Sequence, residues 1–423
     1  MDIINTCLKQ GTFPEFWRRE WVTPVPKISE PKELKDVRKI ASTSDFSKIF
    51  EKFIISWVME DMGNKLGLQQ FAGKKGTGTE HMIVALIDRI KFLLDKYPDH
   101  SAIIASGIDW SQAFDRVDPT LATIKLIKLG IRSSLIPILI DFITERKMTV
   151  KFNQAESKLY TLIGGGPQGS QIGQNQYLAA SFDNADTVND DDQFKYCDDL
   201  QILDLVLFGN LLEEYDFTQH VASDIGIGHS FLPPEKCQTQ TNLNTIANWT
   251  DENLMKMNEL KSNYLVFTRS KEKFATRFTV NNKHLEHLNV TKILGVWISE
   301  DGSWSKNTQE ILKKGYSRIS FLTKLKYAGV NIDDLIQMFQ LFIRSCTEYC
   351  SVAFHSNLTE SQSKSLERLQ STCLKVILQD NYVSYSAALE MTGLETLWDR
   401  REKRCLDFSI KCIKHSQNSR FFH

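Results

Sequence analysis

The apolar positions of the chain keep helical spacing in some stretches and run together in others. Phe46, Ile49, Phe50, Phe53, Ile54 and Val58 recur at three- and four-residue steps and predict a helix over 46–62. Ile83, Leu86, Ile87, Ile90 and Leu93 predict another over 80–96. Residues 101–108 read as a buried strand that ends at Asp109. A further helix begins where Asp118 can cap it and Pro119 suits its first turn, and Gly130 can close it. Residues 194–205 predict two short strands joined at Asp198-Asp199. A helix is expected over 244–254, and strands over 264–267 and 292–299. Beyond Trp304 the pattern is wholly helical. Thr359 with Gln362 forms a capping box ahead of the stripe Leu366, Leu369, Cys373, Leu374 and Ile377. Residues 1–50 are rich in turn signals (Gly11, Pro14, Pro24, Pro26, Pro31), and 73–79 is a Gly/Lys-rich loop. The order is a mixed α/β core followed by an all-helical lobe, with the change near 305.

Composition adds exclusions. With 42% hydrophobic and 24% charged residues, the chain of 423 is globular rather than disordered or collagenous. No apolar run approaches the roughly 18 residues a membrane span requires. The N-terminus lacks the charged start and apolar core of a signal peptide, so an intracellular protein is expected. Eight cysteines form no C-x-x-C pair and are expected to be reduced thiols; Cys346 and Cys350 read as one helix face. Lys+Arg number 51 against 52 Asp+Glu, but the balance is uneven. Residues 151–250 hold 4 basic and 14 acidic residues, a net of −10. Residues 251–350 hold 15 against 11, and 401–423 hold 6 against 2, a net of +4 in each. An acidic zone flanked by basic segments suits a cation site beside surfaces that touch a polyanion; ordinary solvated surface gives the same counts.

Three carboxylates carry candidate chemistry. Asp109 ends a strand, and Asp198-Asp199 sit at a hairpin tip. Neighbouring acids repel unless something offsets their charge. Magnesium would do so, since it takes one or two carboxylates and leaves its other positions to phosphates and water. Two such ions about 4 Å apart can activate an attacking hydroxyl and stabilise a departing pyrophosphate. A bare Asp-Asp pair is otherwise a polar turn.

An ordered series of motifs surrounds these acids. Asp109-Trp-Ser-Gln-Ala-Phe114-Asp115-Arg116-Val117 comes first, with Leu126-Ile-Lys-Leu-Gly130-Ile131 after it. Gly165-Gly166-Pro167-Gln168-Gly169-Ser170 and Tyr196-Cys197-Asp198-Asp199 follow. Next come Trp249 with Asn258-Glu-Leu-Lys261-Ser262 and Phe267, then Leu294-Gly295-Val296-Trp297-Ile298 with Trp304. Upstream lie Asn5, Gly11, Phe13-Pro14, Trp17, Pro24-Val-Pro26-Lys27, Arg38, Ser47-Lys48-Ile-Phe-Glu51, Gln70-Phe71 and Thr79. In this order, the series resembles the reverse transcriptases of non-LTR (LINE-type, jockey-like) retrotransposons over nearly the whole chain.

The resemblance implies an α+β right-hand polymerase. Fingers are expected at 1–100, a palm with an antiparallel sheet and an inserted fingers segment at 101–304, and a helical thumb and C-terminal connection at 305–423. It implies RNA-directed DNA polymerisation on an RNA template, with a DNA primer, dNTPs and two Mg2+ ions, or Mn2+ in their stead. By resemblance Asp109 and Asp198 hold the ions, with Asp199 beside them and the Trp110 carbonyl as a further ligand. Phe114 stands at the sugar-gate position, where a flat ring leaves no room for a 2′-hydroxyl; without the motif it reads as a core phenylalanine. Gln168 and Gly169 lie where backbone passes close to template and incoming base. Lys27 and Arg38 are candidates to grip the triphosphate, and Lys261 to assist departing pyrophosphate. Lys313, Lys314, Lys324 and Lys326 are expected along the duplex, and the 73–79 loop along the template.

The chain departs from the family at Arg38-Lys39-Ile40, usually Arg-Pro-Ile, at Ile172-Gly173-Gln174, usually Leu-Gly-Pro, and at Cys197, usually alanine. No metal ligand is lost. No endonuclease candidate or Cys/His knuckle is found, so a fragment of a retrotransposon protein is expected, located in nucleus or cytoplasm with no membrane partner. The rivals are an RNA-dependent RNA polymerase, which Phe114 disfavours, and a catalytically inactive nucleic-acid-binding relic. The sequence sets no oligomeric state.

Overall fold

The computed structural model describes residues 2–33, 36–98, 101–144, 146–207, 229–231, 237–270 and 273–414. After α1 (Asp2–Gln10), β1 (Arg19–Pro26) pairs antiparallel with β2 (Val37–Ser42). The turn-rich reading of 1–50 missed both strands. Pro24 and Pro26, which argued against a strand, lie beyond the Arg19–Val22 stretch that also pairs with β4 (Arg146–Phe152). A proline has no N–H to donate and is tolerated where one side of a strand has no partner. The β1–β4 pairing is parallel; β5 (Ala155–Glu156) and β6 (Tyr160–Leu162) complete this sheet.

Helix α2 (Asp45–Met62) buries Phe50, Ile54, Val58 and Met62 and leaves Phe46, Ile49 and Phe53 exposed. Its core includes Phe13, residues of α4 (Pro119–Lys128) and α5 (Ile136–Ile143), and Ile172 and Leu178 of α6 (Gln171–Ala180). The expected cap is present: Asp118 accepts from the Thr120 and Leu121 amides at 2.9 Å.

The central sheet runs β14-β10-β3-β8-β7. Its middle strand, β3 (Ser101–Ile108), is antiparallel to β8 (Asp199–Leu207) and to β10 (Asn263–Phe267). β7 (Gln193–Tyr196) pairs with β8 as the expected hairpin. Side chains alternate between the two faces of a strand. Ala102, Ile104, Ile108, Leu200 and Ile202 pack on α7 (Gln238–Glu252). Ile103, Ala105, Leu203 and Phe267 pack on α3 (Thr79–Lys96), Trp304 and Phe354. Burial on both faces explains why β3 is apolar at nearly every position.

Short ribbons follow. β9 (His229–Phe231) pairs with β11 (Lys273–Ala275), and β12 (Thr279–Val280) with β13 (Lys283–His284); β14 (Glu286–His287) edges the central sheet. The strand expected over 292–299 is instead a hairpin of β15 (Val290–Ile293) and β16 (Val296–Ser299). Leu294 and Gly295, at φ 45° and 90°, turn the chain back. The short strand-like runs on either side hid that turn, because only Gly295 advertised it.

The rest is helical, as expected: α8 (Ser305–Tyr327), α9 (Ile332–Met338), a π-helical turn (Phe339–Arg344), α10 (Ser345–Glu348), α11 (Ser351–Phe354), α12 (Glu360–Leu378), α13 (Tyr385–Thr392) and α14 (Leu397–Lys414). The Thr359–Gln362 capping box is formed. Cys346 and Cys350 do not share a helix face: α10 ends between them, and Cys350 turns left-handed at φ 51° before α11. All eight cysteines are free thiols. The class is the α+β one expected of a right-hand polymerase, with mixed sheets followed by a helical lobe. Among the described residues no helix is long and apolar enough to cross a membrane.

Candidate active site

The register of the central sheet brings the acids together. Ile108 faces Leu200, and one further step along both strands sets Asp109 opposite Asp199. Tyr196 pairs with Asp199, so the hairpin turn is Cys197-Asp198, one residue earlier than the sequence suggested. Cys197 adopts φ 55° there, a left-handed conformation uncommon outside glycine. Its N–H donates to Gln70 Oε1 at 3.4 Å, and its Sγ accepts from Gln174 Nε2 at 3.7 Å. The 69–71 segment also bonds to both the N–H and the carbonyl of Lys195 at 2.9 Å, which steadies the hairpin.

Asp109 is held from the opposite side. Its carboxylate accepts from Asn258 Nδ2 at 3.0 Å, its carbonyl from the Asn258 amide at 2.8 Å, and its own N–H donates to Ser262 Oγ at 3.1 Å. Ser111 N–H reaches the Lys256 carbonyl at 2.8 Å, so Trp110 bridges Met257 as a pair whose own carbonyl is directed away from 256–258. Asn258 and Ser262 lay in a motif without a role assigned to either. The i, i+4 spacing of two short polar side chains in a turn was the available signal.

Burial dominates the electrostatics of the three acids. Burial raises the Asp109 carboxyl above its usual range, opposed by Lys261, by the Asn258 hydrogen bond and by Lys27. Burial also raises Asp198; the Asp109 charge adds to this and Arg38 opposes it. Asp199 keeps one side open to solvent, yet the surrounding protein, then Asp198 and Asp109, push it up to about 6. Lys27, Arg38 and Lys261 are exposed, and the charges of Lys27 and Lys261 act on Asp109 while that of Arg38 acts on Asp198. The fold thus gathers six residues spread from 27 to 261. As the side chains lie, no three His, Cys, Asp or Glu among the described residues form a ready metal cage. Hard carboxylate oxygens bearing unbalanced charge nevertheless fit magnesium, which needs only one or two of them from protein.

Phe114 lies in a 3-10 turn over Ala113–Arg116, half-buried, with its ring stacked 4.7 Å from Tyr177. Tyr177 is fully buried and its hydroxyl is pushed far up by burial, then by the Asp198 charge. Gln168 accepts from the Ala41 amide at 2.9 Å. Gly169, at φ 126°, lies where a Cβ would come within 2.6 Å of the Ala41 carbonyl. Gly169 thus packs closely on β2. Lys39, where the family usually has proline, pairs with Asp115 at 2.9 Å. Glu51, matched in the sequence without a role, is fully buried and accepts from the Gln171 amide at 2.9 Å, which caps α6 beside Ser170.

A groove of about 660 Å³ runs between the β15–β16 hairpin and α8, lined by Lys292, Trp297, Lys313, Lys314, Arg318 and Tyr349 among others. Lys326 does not join it; its Nζ donates to the Ile377 carbonyl at 2.9 Å. Lys74 of the 73–79 loop donates to the Gly67 carbonyl.

No protein-family model matches the chain. A curated relative, the probable RNA-directed DNA polymerase from transposon X-element of Drosophila melanogaster, is 26% identical over 185 residues. Over that segment the chain is similar to this polymerase. The matched segment is 43% of this chain and about a fifth, 20%, of the relative. Among solved structures, telomerase from Candida tropicalis with a TWJ fragment of telomeric RNA aligns over 96% of this chain and 65% of that one, at TM-score 0.45 and 9% identity. The RNA-dependent RNA polymerase of a human picorbirnavirus aligns over 95% and 64%, at TM-score 0.39 and 10% identity.

Proposed function

We propose that the chain is an RNA-directed DNA polymerase, part of a retrotransposon protein, that adds dNTPs to a DNA primer on an RNA template. The observation that carries this reading is the register that sets Asp109 opposite Asp199 next to Asp198, with all three carboxyls raised. Asp109 and Asp198 would hold two Mg2+ ions, with Asp199 and the Trp110 carbonyl beside them. Bound there, magnesium supplies charge neutralisation at the attacking 3′-oxygen and at the departing pyrophosphate.

The protein's own part is positioning and electrostatics. Asn258 and Ser262 orient Asp109. Lys27 and Arg38 receive the triphosphate from the fingers side, and Lys261 faces the leaving group. Phe114, backed by Tyr177, closes the space below C2′ of the incoming sugar, which favours dNTPs over NTPs. Gln168 and Gly169, fixed to β2, form the floor toward the template. The basic groove along α8 suits a duplex backbone, read without sequence preference.

Primer extension by the purified chain on an RNA template, with dNTPs and with NTPs in parallel, tests the proposal. Extension with dNTPs is expected. Extension with NTPs alone would point to an RNA polymerase, and extension with neither to a relic that binds nucleic acid without catalysis.

A further inference from the structure

Among the described residues, the most deeply buried ion pair lies apart from the three acids. Arg146 opens β4, Glu20 lies in β1, and both are almost fully buried, at 3% and 5% exposure. Arg146 Nη1 donates to Glu20 Oε2 at 2.9 Å. Its other nitrogen, Nη2, donates to the Gly165 carbonyl at 2.6 Å and to that of Gly164 at 3.2 Å. The peptide units so gripped hold the gate turn: Gly165 N–H donates to the Val117 carbonyl at 2.9 Å, and Gly166 N–H to that of Phe114 at 2.7 Å. Gly165, at φ 79°, has no room for a Cβ, which would come within 2.8 Å of the Asp115 carbonyl. The path from Arg146 to the Phe114 backbone therefore consists of one peptide loop in direct contact at both ends. Stacking on Tyr177 fixes the ring; this loop fixes the backbone that carries it.

We propose that Arg146, oriented by Glu20, is a positioning residue for the sugar gate, setting how closely Phe114 approaches the incoming nucleotide. The selectivity part of this inference rests on the polymerase reading above. A guanidinium is required because a planar fork can serve a carboxylate and two carbonyls at once, whereas a lysine amine acts as a point charge.

Arg146→Lys is the discriminating variant, since it keeps a cation for Glu20 but not the fork. Should it fail to fold, Glu20→Gln with Arg146→Met removes both charges and strands neither. The first measurement is backbone amide exchange in the full chain, which requires no activity. Segment 164–168 is expected to exchange about tenfold faster, the loss of a charge-assisted hydrogen bond, with 101–108 unchanged. Unchanged exchange at 164–168 overturns the clamp. The second is the dNTP/NTP ratio of kcat/KM in primer extension, expected to fall several-fold toward NTPs while dNTP kcat drops less. An active variant with an unaltered ratio overturns the role in selectivity. A wild-type chain that extends nothing defeats the polymerase reading, and amide exchange then still decides whether Arg146 holds the gate turn.

Discussion

Two charge clusters lie near Phe114, and they are built on opposite terms. At the ends of β3 and β8, Asp109, Asp198 and Asp199 crowd together; burial raises all three carboxyls, as it does Glu20, and neighbouring acids add to this at Asp198 and Asp199. Behind the Phe114 turn, Glu20 and Arg146 are more deeply buried yet matched one to one. A similar balance holds Lys125, whose amine meets Asp183 at 2.6 Å and the Ala180 carbonyl at 2.8 Å and lies over the Trp249 ring. Balanced clusters complete themselves and act as scaffold. The carboxylate cluster has no buried cation of its own, and in the proposed reading magnesium would supply the missing charge.

The strongest way to break this comparison is Asp198→Asn. Primer extension should fall about a thousandfold or more, because transition-state charge loses its ion. The thermal midpoint without metal should not fall, since like-charge repulsion is relieved; a large loss of stability would put Asp198 among the scaffold charges. Glu20→Gln should behave in the reverse sense, costing about 3–5 kcal/mol in urea unfolding because Arg146 is stranded. A cost near zero would mean the pair is solvated. Asn258→Ala, which frees the Asp109 carboxylate, should lower activity or magnesium affinity about 10–100-fold, checked by metal titration of the extension rate. Phe114→Ala should lower the dNTP/NTP preference by about tenfold; an unchanged ratio in competition assays would count against the gate.

The smallest effect is on stability against pH. Asp199 is held up to about 6 in the fold, against about 3.9 unfolded. Its folded-state proton stabilises the protein below about pH 4, and that contribution is lost as pH rises through about 6. Its solvent-exposed side weakens the effect. Magnesium at pH 7.5 should recover some of this stability as a rise of a few degrees in melting temperature, absent in Asp198→Asn. Equal shifts in both proteins, by calorimetry, would refute site binding.

Much of the carboxylate end of the sheet was legible because its signals are local. Strand 101–108, the 194–205 hairpin, the Asp118 cap and the Thr359–Gln362 capping box each depend on residues a few positions apart. The parallel pairing of β1 with β4 was not legible: its partners are over a hundred residues apart, and prolines mask β1. Glu51 was matched by motif, but its task as cap of α6 depends on a helix 120 positions away. Cys346 and Cys350 were misread because i, i+4 spacing implies a shared face only while the helix continues.

The sequence by itself determined which residues carry charge at strand ends and turns, and where the mixed core gives way to helices. It could do so because periodicity and capping are properties of neighbours in the chain. Which charges balance was decided only in three dimensions. Glu20 met Arg146 across a parallel strand pair, while sheet register set Asp109 against Asp199, leaving the acids without an equal number of buried cations. Charge balance depends on distance in space, and the fold alone sets those distances.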